Sequence, residues 1–358
     1  MSVSFHSLTV ADVADETAEA RSIRFEIPEE LRETFKFKPG QHLTLKAEIG
    51  GEEIRRNYSL CVAPQDNQVT VTVKRISGGA FSNWANDNLK PGMAIEVLAP
   101  HGSFTWDFEP GAANHYVGFA GGSGITPVMS LLKTALLTEP GSRFTLFYGN
   151  RDSSSVIFLD ALAGLKNRFM DRLQVHHFLA EEDEEFALFN GMLDRAKCDE
   201  ILENLVDPAG IAAFFVCGPG PMMDAAEAAL LDKGVARGRV HLERFTAGRP
   251  SAALEAQMQA LTKEAAGLTL LVTLDGRKRR VAFDAKAGNI LDSARAAGLG
   301  APFACKAGVC ATCRARVVSG KVEMAARYGL TDEEVAAGYV LTCQSVPKGE
   351  GVELDYDA

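Results

Sequence analysis

The first hundred residues alternate apolar and polar positions over short runs, a period of two that is typical of half-buried β-strands. The runs are SIRFEI (22–27), HLTLKAEI (42–49), QVTVTVKRI (68–76) and MAIEVLAP (93–100). Turn sequences such as KPG and IGGEE lie between them, and hardly any segment has the 3.6-residue period of a helix. Many short strands in succession close most readily as a small barrel. We therefore expect residues 1–107 to form an antiparallel β-barrel.

From about residue 110 the pattern changes to apolar runs separated by segments with helical spacing. The runs HYVGFA, RFTLFYG, LQVHHFLA, IAAFFVCG and RVHLERF are typical of buried strands, and ITPVMSLLKTALL and PMMDAAEAALLDKG have the spacing of helices. Strands that alternate with helices predict right-handed βαβ units and a parallel sheet. We expect residues 108–246 to be an α/β domain of this kind.

The last third of the chain has a third pattern. Residues 247–266 carry no strand pattern, and we interpret them as a linker that is partly helical. The alternation over 268–285 predicts a two-stranded hairpin, and 289–298 predicts a short helix. We expect residues 267–358 to form a compact α+β unit of the β-grasp type, so the fold class is multidomain.

Charge excludes one class of function. The 358 residues are 46% hydrophobic and 23% charged, and the net charge is −10. Because non-specific binding of nucleic acid needs a basic face, we do not expect this chain to bind nucleic acid. Residues 267–358 are close to neutral, with 12 Lys and Arg against 11 Asp and Glu, so the acidity lies in the first two thirds. We interpret the basic run RKRR (277–280) as a hairpin turn with solvated charges.

Neither an export signal nor a membrane span is expected. The N-terminal residues lack a basic stretch followed by an apolar one, and no uncharged apolar run approaches 18 residues. Seven cysteines in such a chain favour reduced thiols in a metal or redox role and a cytoplasmic location. We expect Cys61 and Cys198 to be inert packing residues.

Four of the cysteines have the spacing of an iron–sulfur site. Cys305, Cys310 and Cys313 follow a C-x4-C-x2-C pattern, and Cys343 comes after 29 intervening residues. This is the plant-type [2Fe–2S] spacing. A structural zinc site is the alternative, but zinc ribbons use paired C-x2-C sequences and only one such pair is present. A [2Fe–2S] centre carries one electron, so another part of the chain must supply electrons to it.

Two glycine-rich loops follow predicted strands. AGGSGITP (120–127) opens a helix, where glycines and the helix N-terminus favour phosphate, although it lacks the G-x-G-x-x-G spacing. VCGPGPMM (216–223) follows another strand, at the edge of a parallel sheet where ligands bind. Cys217 in this loop either packs against a nicotinamide or is a buried core thiol.

The β-rich part also contains residues suited to a flavin. In RRNYSL, Arg56 and Tyr58 lie on one face of a strand, where arginine pairs with phosphate and tyrosine stacks on a planar ring. An exposed half-strand is the alternative for this stretch. The turn GGAFS (78–82) is a second candidate for phosphate binding.

These motifs, in this order, resemble the ferredoxin–NADP reductase superfamily fused to a plant-type ferredoxin. The resemblance covers nearly the whole chain. It rests on an R-x-Y-S motif, a G-x-x-S turn, a glycine loop and a C-G-P motif. The matching residues are, in that order, Arg56, Tyr58 and Ser59; Gly79 and Ser82; Gly121, Gly122, Gly124, Thr126 and Pro127; and Cys217, Gly218 and Pro219.

The resemblance implies an oxidoreductase that carries electrons from a reduced nicotinamide through FAD and a [2Fe–2S] cluster to an oxygenase partner. It places Arg56 on the flavin pyrophosphate and Tyr58 against the flavin ring. It makes Ser59 a hydrogen-bond donor near the flavin N5 atom, and it places Cys217 near the nicotinamide. Glu243 and Phe245, two residues further on, match a position near the flavin ring.

The nicotinamide cofactor is predicted to be NADPH. Arg151 in YGNRDSSS follows the second strand of the α/β domain, where an arginine accepts the 2′-phosphate of NADPH, and NADH remains possible. Two alternatives stay open at this point. One is an NADH-dependent reductase of a different mono- or dioxygenase, and the other is a zinc-stabilised binding module.

Overall fold

The computed structural model describes residues 4–183, 186–245 and 252–358. The chain divides into two compact units, one of Phe5–Glu243 and one consisting mainly of Arg244–Ala358. The first part of the predicted linker, residues 247–251, lies outside the described residues. No helix among the described residues is both long and apolar enough to cross a bilayer.

The first unit begins with six antiparallel strands. They are β1 (Phe5–Thr17), β2 (Ala20–Glu26), β3 (His42–Ile49), β4 (Glu52–Ser59), β5 (Val69–Lys74) and β6 (Ala94–His101), in the sheet order β4-β3-β6-β1-β2-β5. The two edge strands approach each other, because Leu60, just after β4, forms an antiparallel bridge with Val71 of β5. The predicted antiparallel domain is confirmed, and Ser59 lies at its rim.

One helix in this part differs from the expectation. The segment predicted as a turn begins helix α1, Ala80–Asn88. Its inner face alternates apolar Phe81 and Ala85 with Ser82 and Asn86, and all four are buried. Asn86 donates hydrogen bonds to the carbonyls of Val73 and Ser82, so polar side chains occupy core positions and hide the helical period.

The second half of the first unit is a parallel α/β sheet, as predicted. Its strands are β7 (His115–Gly121), β8 (Arg143–Asn150), β9 (Leu173–Leu179), β10 (Ala213–Cys217) and β11 (Val240–Glu243), in the order β11-β10-β7-β8-β9. Its helices are α2 (Ile125–Thr138), α3 (Leu159–Arg168), α4 (Arg195–Asn204) and α5 (Gly220–Asp232). Strands buried on both faces are rich in apolar residues, which is why these runs stand out in the sequence. The carboxyl ends of β7 and β10 lie side by side, so the two glycine loops meet.

The second unit is built on a small mixed sheet with the order β13-β12-β18-β14-β16. Its elements are α6 (Ala252–Glu264), β12 (Thr269–Leu274), β13 (Arg277–Ala282), α7 (Ile290–Ala296), β14 (Arg314–Ser319), β15 (Val322–Met324), α8 (Asp332–Ala336), β16 (Tyr339–Leu341), β17 (Ser345–Pro347) and β18 (Glu353–Asp355). Strands β15 and β17 form a separate pair. The predicted hairpin and short helix are β12–β13 and α7.

One detail of this unit differs from the sequence interpretation. The basic run 277–280 is not a turn: the turn is Asp275–Gly276, both with positive φ, and the basic residues form the exposed start of strand β13. Residues 252–264 of the predicted linker form helix α6. Met258 and Leu261 of α6 pack against the apolar core of the second unit.

Candidate functional site

The four candidate cluster cysteines lie in the second unit and fall into two pairs. Cys305 interacts with Cys310, and Cys313 interacts with Cys343, through hydrogen bonds between their side chains. No three Cys, His, Asp or Glu side chains in the described part of the chain converge on a single metal position. A structural zinc ion needs four ligands around one point, whereas a two-iron cluster needs two thiolates on each iron. The arrangement of these thiols therefore fits [2Fe–2S].

The loop around these thiols is shaped to approach sulfur with backbone N–H groups. The N–H of Ala307 donates to Cys305 Sγ at 3.2 Å, and the N–H of Cys305 donates to Cys310 Sγ at 3.5 Å. Lys306 and Gly308 both have positive φ, so the loop turns sharply between its first two cysteines. Hydrogen bonds of this kind stabilise thiolates and set the potential of a bound cluster.

Each pair also divides its protons unequally. The hydrogen bond from Cys305 lowers the pKa of Cys310, and the same contact raises the pKa of Cys305. In the second pair, the pKa of Cys343 is lowered by its hydrogen bond with Cys313, whose own pKa is raised. One thiolate in each pair therefore forms first, which suits metal loading because the thiolate is the ligand form.

At the rim of the barrel, β4 carries the predicted flavin residues. The side chain of Ser59 is 3% exposed, and its hydroxyl oxygen has no hydrogen-bond partner among the described residues. A buried hydroxyl without a partner is costly, so this one is available to a ligand. Tyr58 is half-buried against Phe81, with ring centroids 5.7 Å apart, and burial raises its pKa. Arg56 is exposed, and its guanidinium donates to the carbonyl of Arg55.

The turn that carries Gly79 and Ser82 leads into the N-terminus of α1. Gly79 is the N-cap, and no side chain caps the helix, so the first N–H groups remain available to an anion. Ser82 is buried, and its hydroxyl oxygen accepts a hydrogen bond from the N–H of Ile76 at 3.1 Å. The structure thus gives Ser82 a role in closing the turn.

The glycine loop and the C-G-P loop are packed tightly against each other. A Cβ on Gly124 would lie 2.0 Å from the carbonyl oxygen of Cys217, and one on Gly121 would lie 2.7 Å from Met222 Sδ. A Cβ on Gly218 would lie 3.0 Å from the nitrogen of Gly121. These three glycines are required by the contact between the loops.

The remaining loop residues have more local roles. Gly122 has a φ of +49°, which favours glycine. The hydroxyl of Thr126 donates to the carbonyl of Ser123 at the start of α2, and Pro127 occupies the first turn of that helix. Pro219 is the N-cap of α5.

Cys217 and Glu243 end adjacent strands and are partners in the register of β10 and β11. Cys217 is fully buried, and burial, with a smaller contribution from Glu243, raises its pKa well above the usual value. Glu243 Oε1 lies 3.7 Å from Nδ1 of the buried His42. His42 is in turn the register partner of Ser59 across β3 and β4. Residues from the barrel and the parallel sheet are thus brought to one place.

Arg151 lies beyond the end of β8, but it is already partnered. Its Nε donates to Asp152 Oδ2 at 2.8 Å, and Glu181 lies 3.9 Å away. The hydrogen bond with Asp152 raises the pKa of Arg151. Hydrogen bonds from Ser154 and then from Arg151 lower the pKa of Asp152 to about 2. The guanidinium is about half exposed, so it can reach a phosphate, in competition with these carboxylates.

Sequence reasoning missed three residues near this site. His42 was overlooked because nothing in the sequence relates position 42 to position 243. Asn150 ends β8, and both polar atoms of its buried amide lack a hydrogen-bond partner among the described residues. Lys74 ends β5, and its Nζ lies 3.7 Å from the position that a Cβ on Gly122 would occupy. Its place at a strand end beside a glycine loop was the one available signal.

Three family models match the chain in succession. Residues 7–106 match an oxidoreductase FAD-binding domain, 119–228 an oxidoreductase NAD-binding domain, and 272–348 a 2Fe-2S iron-sulfur cluster binding domain. The predicted cofactors FAD and [2Fe–2S] and a nicotinamide nucleotide are thereby confirmed, and the zinc-stabilised binding module is not supported. The matches leave open whether the nucleotide is NADPH or NADH.

Whole-length relatives have the same organisation. The chain is 42% identical to a component of the 1,2-phenylacetyl-CoA epoxidase of Escherichia coli, over 99% of this chain and 98% of that protein. It is 38% identical to the ferredoxin reductase component of 3-ketosteroid-9-alpha-monooxygenase of Rhodococcus rhodochrous, over 98% and 96% of the two chains. The fold matches phthalate dioxygenase reductase with a TM-score of 0.58 over 98% of both chains, at 24% identity. Each of these relatives is a component of an oxygenase system.

Proposed function

Because this chain belongs to the family of flavin and iron–sulfur reductase components that serve oxygenases, we propose that it passes electrons from NADPH to a phenylacetyl-CoA epoxidase. Bound FAD takes up two electrons from the nicotinamide, and the [2Fe–2S] cluster carries them onward one at a time. With thiols that must stay reduced, the setting we propose is the cytoplasm.

One observation carries the proposal. Ser59, Cys217 and Glu243 come from three separate strands, yet the chain of neighbours Ser59–His42–Glu243–Cys217 links them. The unpartnered hydroxyl of Ser59 is a donor for the flavin ring, and the neutral thiol of Cys217 offers an uncharged surface to the nicotinamide. Hydride transfer needs the two rings held in contact in a site from which water is excluded.

The same geometry supports the binding residues that we propose. Arg56 and the uncapped N-terminus of α1, with Gly79 and Ser82, hold the flavin pyrophosphate, and Tyr58 packs against the ring. The loops Gly121–Pro127 and Cys217–Pro219 hold the nicotinamide nucleotide at the carboxyl edge of the parallel sheet. Cys305, Cys310, Cys313 and Cys343 bind the cluster, two thiolates to each iron.

We assign NADPH on the basis of Arg151. Its half-exposed guanidinium suits a 2′-phosphate, although Asp152 and Glu181 compete for the same charge. The hydroxyls of Ser153 and Ser154 lie in the same loop, where they donate to the carboxylates of Glu182 and Asp152. Replacement of Arg151 by Ala is expected to raise KM for NADPH about tenfold and to leave KM for NADH nearly unchanged. Glu181→Gln, which removes a competing carboxylate, is the matched variant and lowers KM for NADPH. Equal effects on both nucleotides would contradict the assignment.

The acceptor is tested by reconstitution. Purified protein is mixed with NADPH and, in separate reactions, with the oxygenase component of a phenylacetyl-CoA epoxidase or of a 3-ketosteroid 9α-monooxygenase. Coupled product formation with the epoxidase at a rate well above that with the other oxygenase is expected. Faster turnover with the ketosteroid enzyme would reassign the partner. A protein whose flavin and cluster absorbance do not both bleach with either nucleotide would overturn the electron-transfer assignment.

A further inference from the structure

A buried polar cluster lies behind Glu243, and none of its members belongs to the predicted site. It consists of His42 and Thr44 on β3, Asn57 on β4 and His101 at the end of β6. His42 is 4% exposed and Thr44 is fully buried. Most polar groups at such depth have hydrogen-bond partners, and the bonds of these residues define how the cluster is arranged.

The hydrogen bonds fix the orientation of one amide and, through it, of one imidazole. The hydroxyl of Thr44 donates to Asn57 Oδ1 at 2.9 Å, so the Asn57 nitrogen faces the other way. That nitrogen lies 3.2 Å from Nε2 of His42. An amide N–H can only donate, so Nε2 of His42 accepts and carries no hydrogen. Because burial holds the pKa of His42 well below its usual value, the ring is neutral, and its single hydrogen is on Nδ1.

That hydrogen points toward the carboxylate. Nδ1 of His42 is 3.7 Å from Glu243 Oε1, somewhat longer than a direct hydrogen bond and within reach of a small side-chain rotation. His101 packs edge-on against the His42 ring, with the two ring centroids 4.2 Å apart. A Cβ on Gly102 would lie 2.8 Å from Nδ1, so a side chain at position 102 would crowd this edge of the imidazole.

We propose that His42 is a positioning residue for electron transfer from the nicotinamide: its Nδ1–H, set by Asn57 and Thr44, orients the carboxylate of Glu243 beside Cys217. The expected effect on electron transfer rests on the proposed function. The orientation of His42 by Asn57 and Thr44 does not depend on that function. A carboxylate restrained by this contact has fewer orientations toward the nicotinamide and flavin. Loss of the contact removes one restraint on the Glu243 carboxylate, so the nucleotide binds in less productive poses.

The tautomer is measured directly on the full-length protein that carries its flavin and cluster. Histidine is isotopically labelled at both ring nitrogens, and the seven histidines give a sparse NMR spectrum. His42 is identified by the signal that disappears in His42→Gln. We expect the chemical shifts of a neutral ring protonated at Nδ1. A ring protonated at Nε2 would overturn the proposal, whatever the protein reduces.

Two matched variants test the consequence. In His42→Asn the amide nitrogen takes the place of Nδ1, whereas in His42→Gln the amide lies where Nε2 was and only the contact with Asn57 is kept. We expect His42→Asn to retain most of the single-turnover rate of flavin reduction and His42→Gln to lose about tenfold, with the flavin content of both unchanged. Equal loss in both variants would mean that His42 has a structural role only. Wild-type protein whose flavin NADPH does not reduce would instead count against the proposed function.

Discussion

At the scale of single residues, the most informative feature is a hydroxyl that the fold leaves unused. An unsatisfied buried hydroxyl costs about 1–3 kcal/mol, and Ser59 bears this cost at the barrel rim. Motif reasoning found Ser59, but the sequence could not show that its hydroxyl lacks a partner. His42 lay beyond prediction because its role depends on a contact with a residue two hundred positions away.

Ser59→Ala is expected to slow reduction of the flavin by NADPH about tenfold to a hundredfold, because one hydrogen-bond donor to the flavin ring is lost. Its free energy of unfolding should stay the same or rise, since no internal bond is broken. Thr70→Val is the matched control: the Thr70 hydroxyl, on β5, is also buried and has no hydrogen-bond partner within the described part of the chain. Stopped-flow absorbance measures the rate of flavin reduction, and thermal unfolding measures the stability. If flavin reduction in Thr70→Val were as slow as in Ser59→Ala, the assignment of Ser59 as a donor to the flavin ring would be wrong.

The buried thiols outside the cluster make stability sensitive to alkali. Burial raises the pKa of Cys61 and of Cys198 to about 12, and that of Cys217 well above its usual value. Above about pH 9 the unfolded chain releases protons that the folded chain keeps, so the free energy of unfolding falls as pH rises. The slope is about 1.4 kcal/mol per pH unit for each thiol. Denaturant unfolding of the wild type and of Cys198→Ala between pH 8 and 11 measures how the free energy of unfolding depends on pH. If the slope were the same in Cys198→Ala, the Cys198 thiol would not contribute to this pH dependence.

At the scale of elements, the sequence predicted most strands and helices of both units within a few residues. Periodicity worked where one face or both faces of an element are apolar. It failed at α1, where Ser82 and Asn86 occupy core positions, and at 277–280, where every residue of a strand start is exposed and charged. The linker was predicted to be partly helical, and its helix is α6, which has only a narrow apolar stripe and no fully buried residue.

Helix α6 is expected to protect the cluster. Met258 of α6 lines a cavity of about 500 Å³ together with Asn289 and the cluster residue Cys343. Met258→Ala and Leu261→Ala should each destabilise the second unit by about 1–2 kcal/mol, because both side chains are half-buried. Both should also speed loss of visible cluster absorbance in the presence of an iron chelator. Gln257→Ala, at an exposed position of the same helix, is the control, and cluster loss at the same rate in all three would contradict the prediction.

At the scale of the whole molecule, charge is unevenly distributed. The acidic excess lies in residues 1–266, while residues 267–358 carry nearly balanced charge. A covalent tether keeps the local concentration of the cluster domain high without the help of electrostatic attraction. Long-range steering, which salt screens, therefore matters less for electron transfer inside this chain.

The rate at which the cluster becomes reduced after the flavin should accordingly change by less than about twofold between about 0.01 M and about 0.5 M salt. Anaerobic stopped-flow measurements at a series of salt concentrations provide the test. Transfer from the same protein to a separate, acidic plant-type ferredoxin is the comparison, and it should fall steeply over the same range. A steep fall of the internal rate would show that steering operates within the chain.

The pairing of the cluster thiols has a consequence for how the protein is made. Two thiols in contact, one of them with a lowered pKa, can also be oxidised to a disulfide. In a newly synthesised chain, iron loading and oxidation by air therefore compete for the same four sulfurs. A chain whose thiols are oxidised to disulfides before iron binds cannot ligate either iron. It needs a reducing agent before it can accept a cluster. The reductase is thus most vulnerable before it has carried any electron.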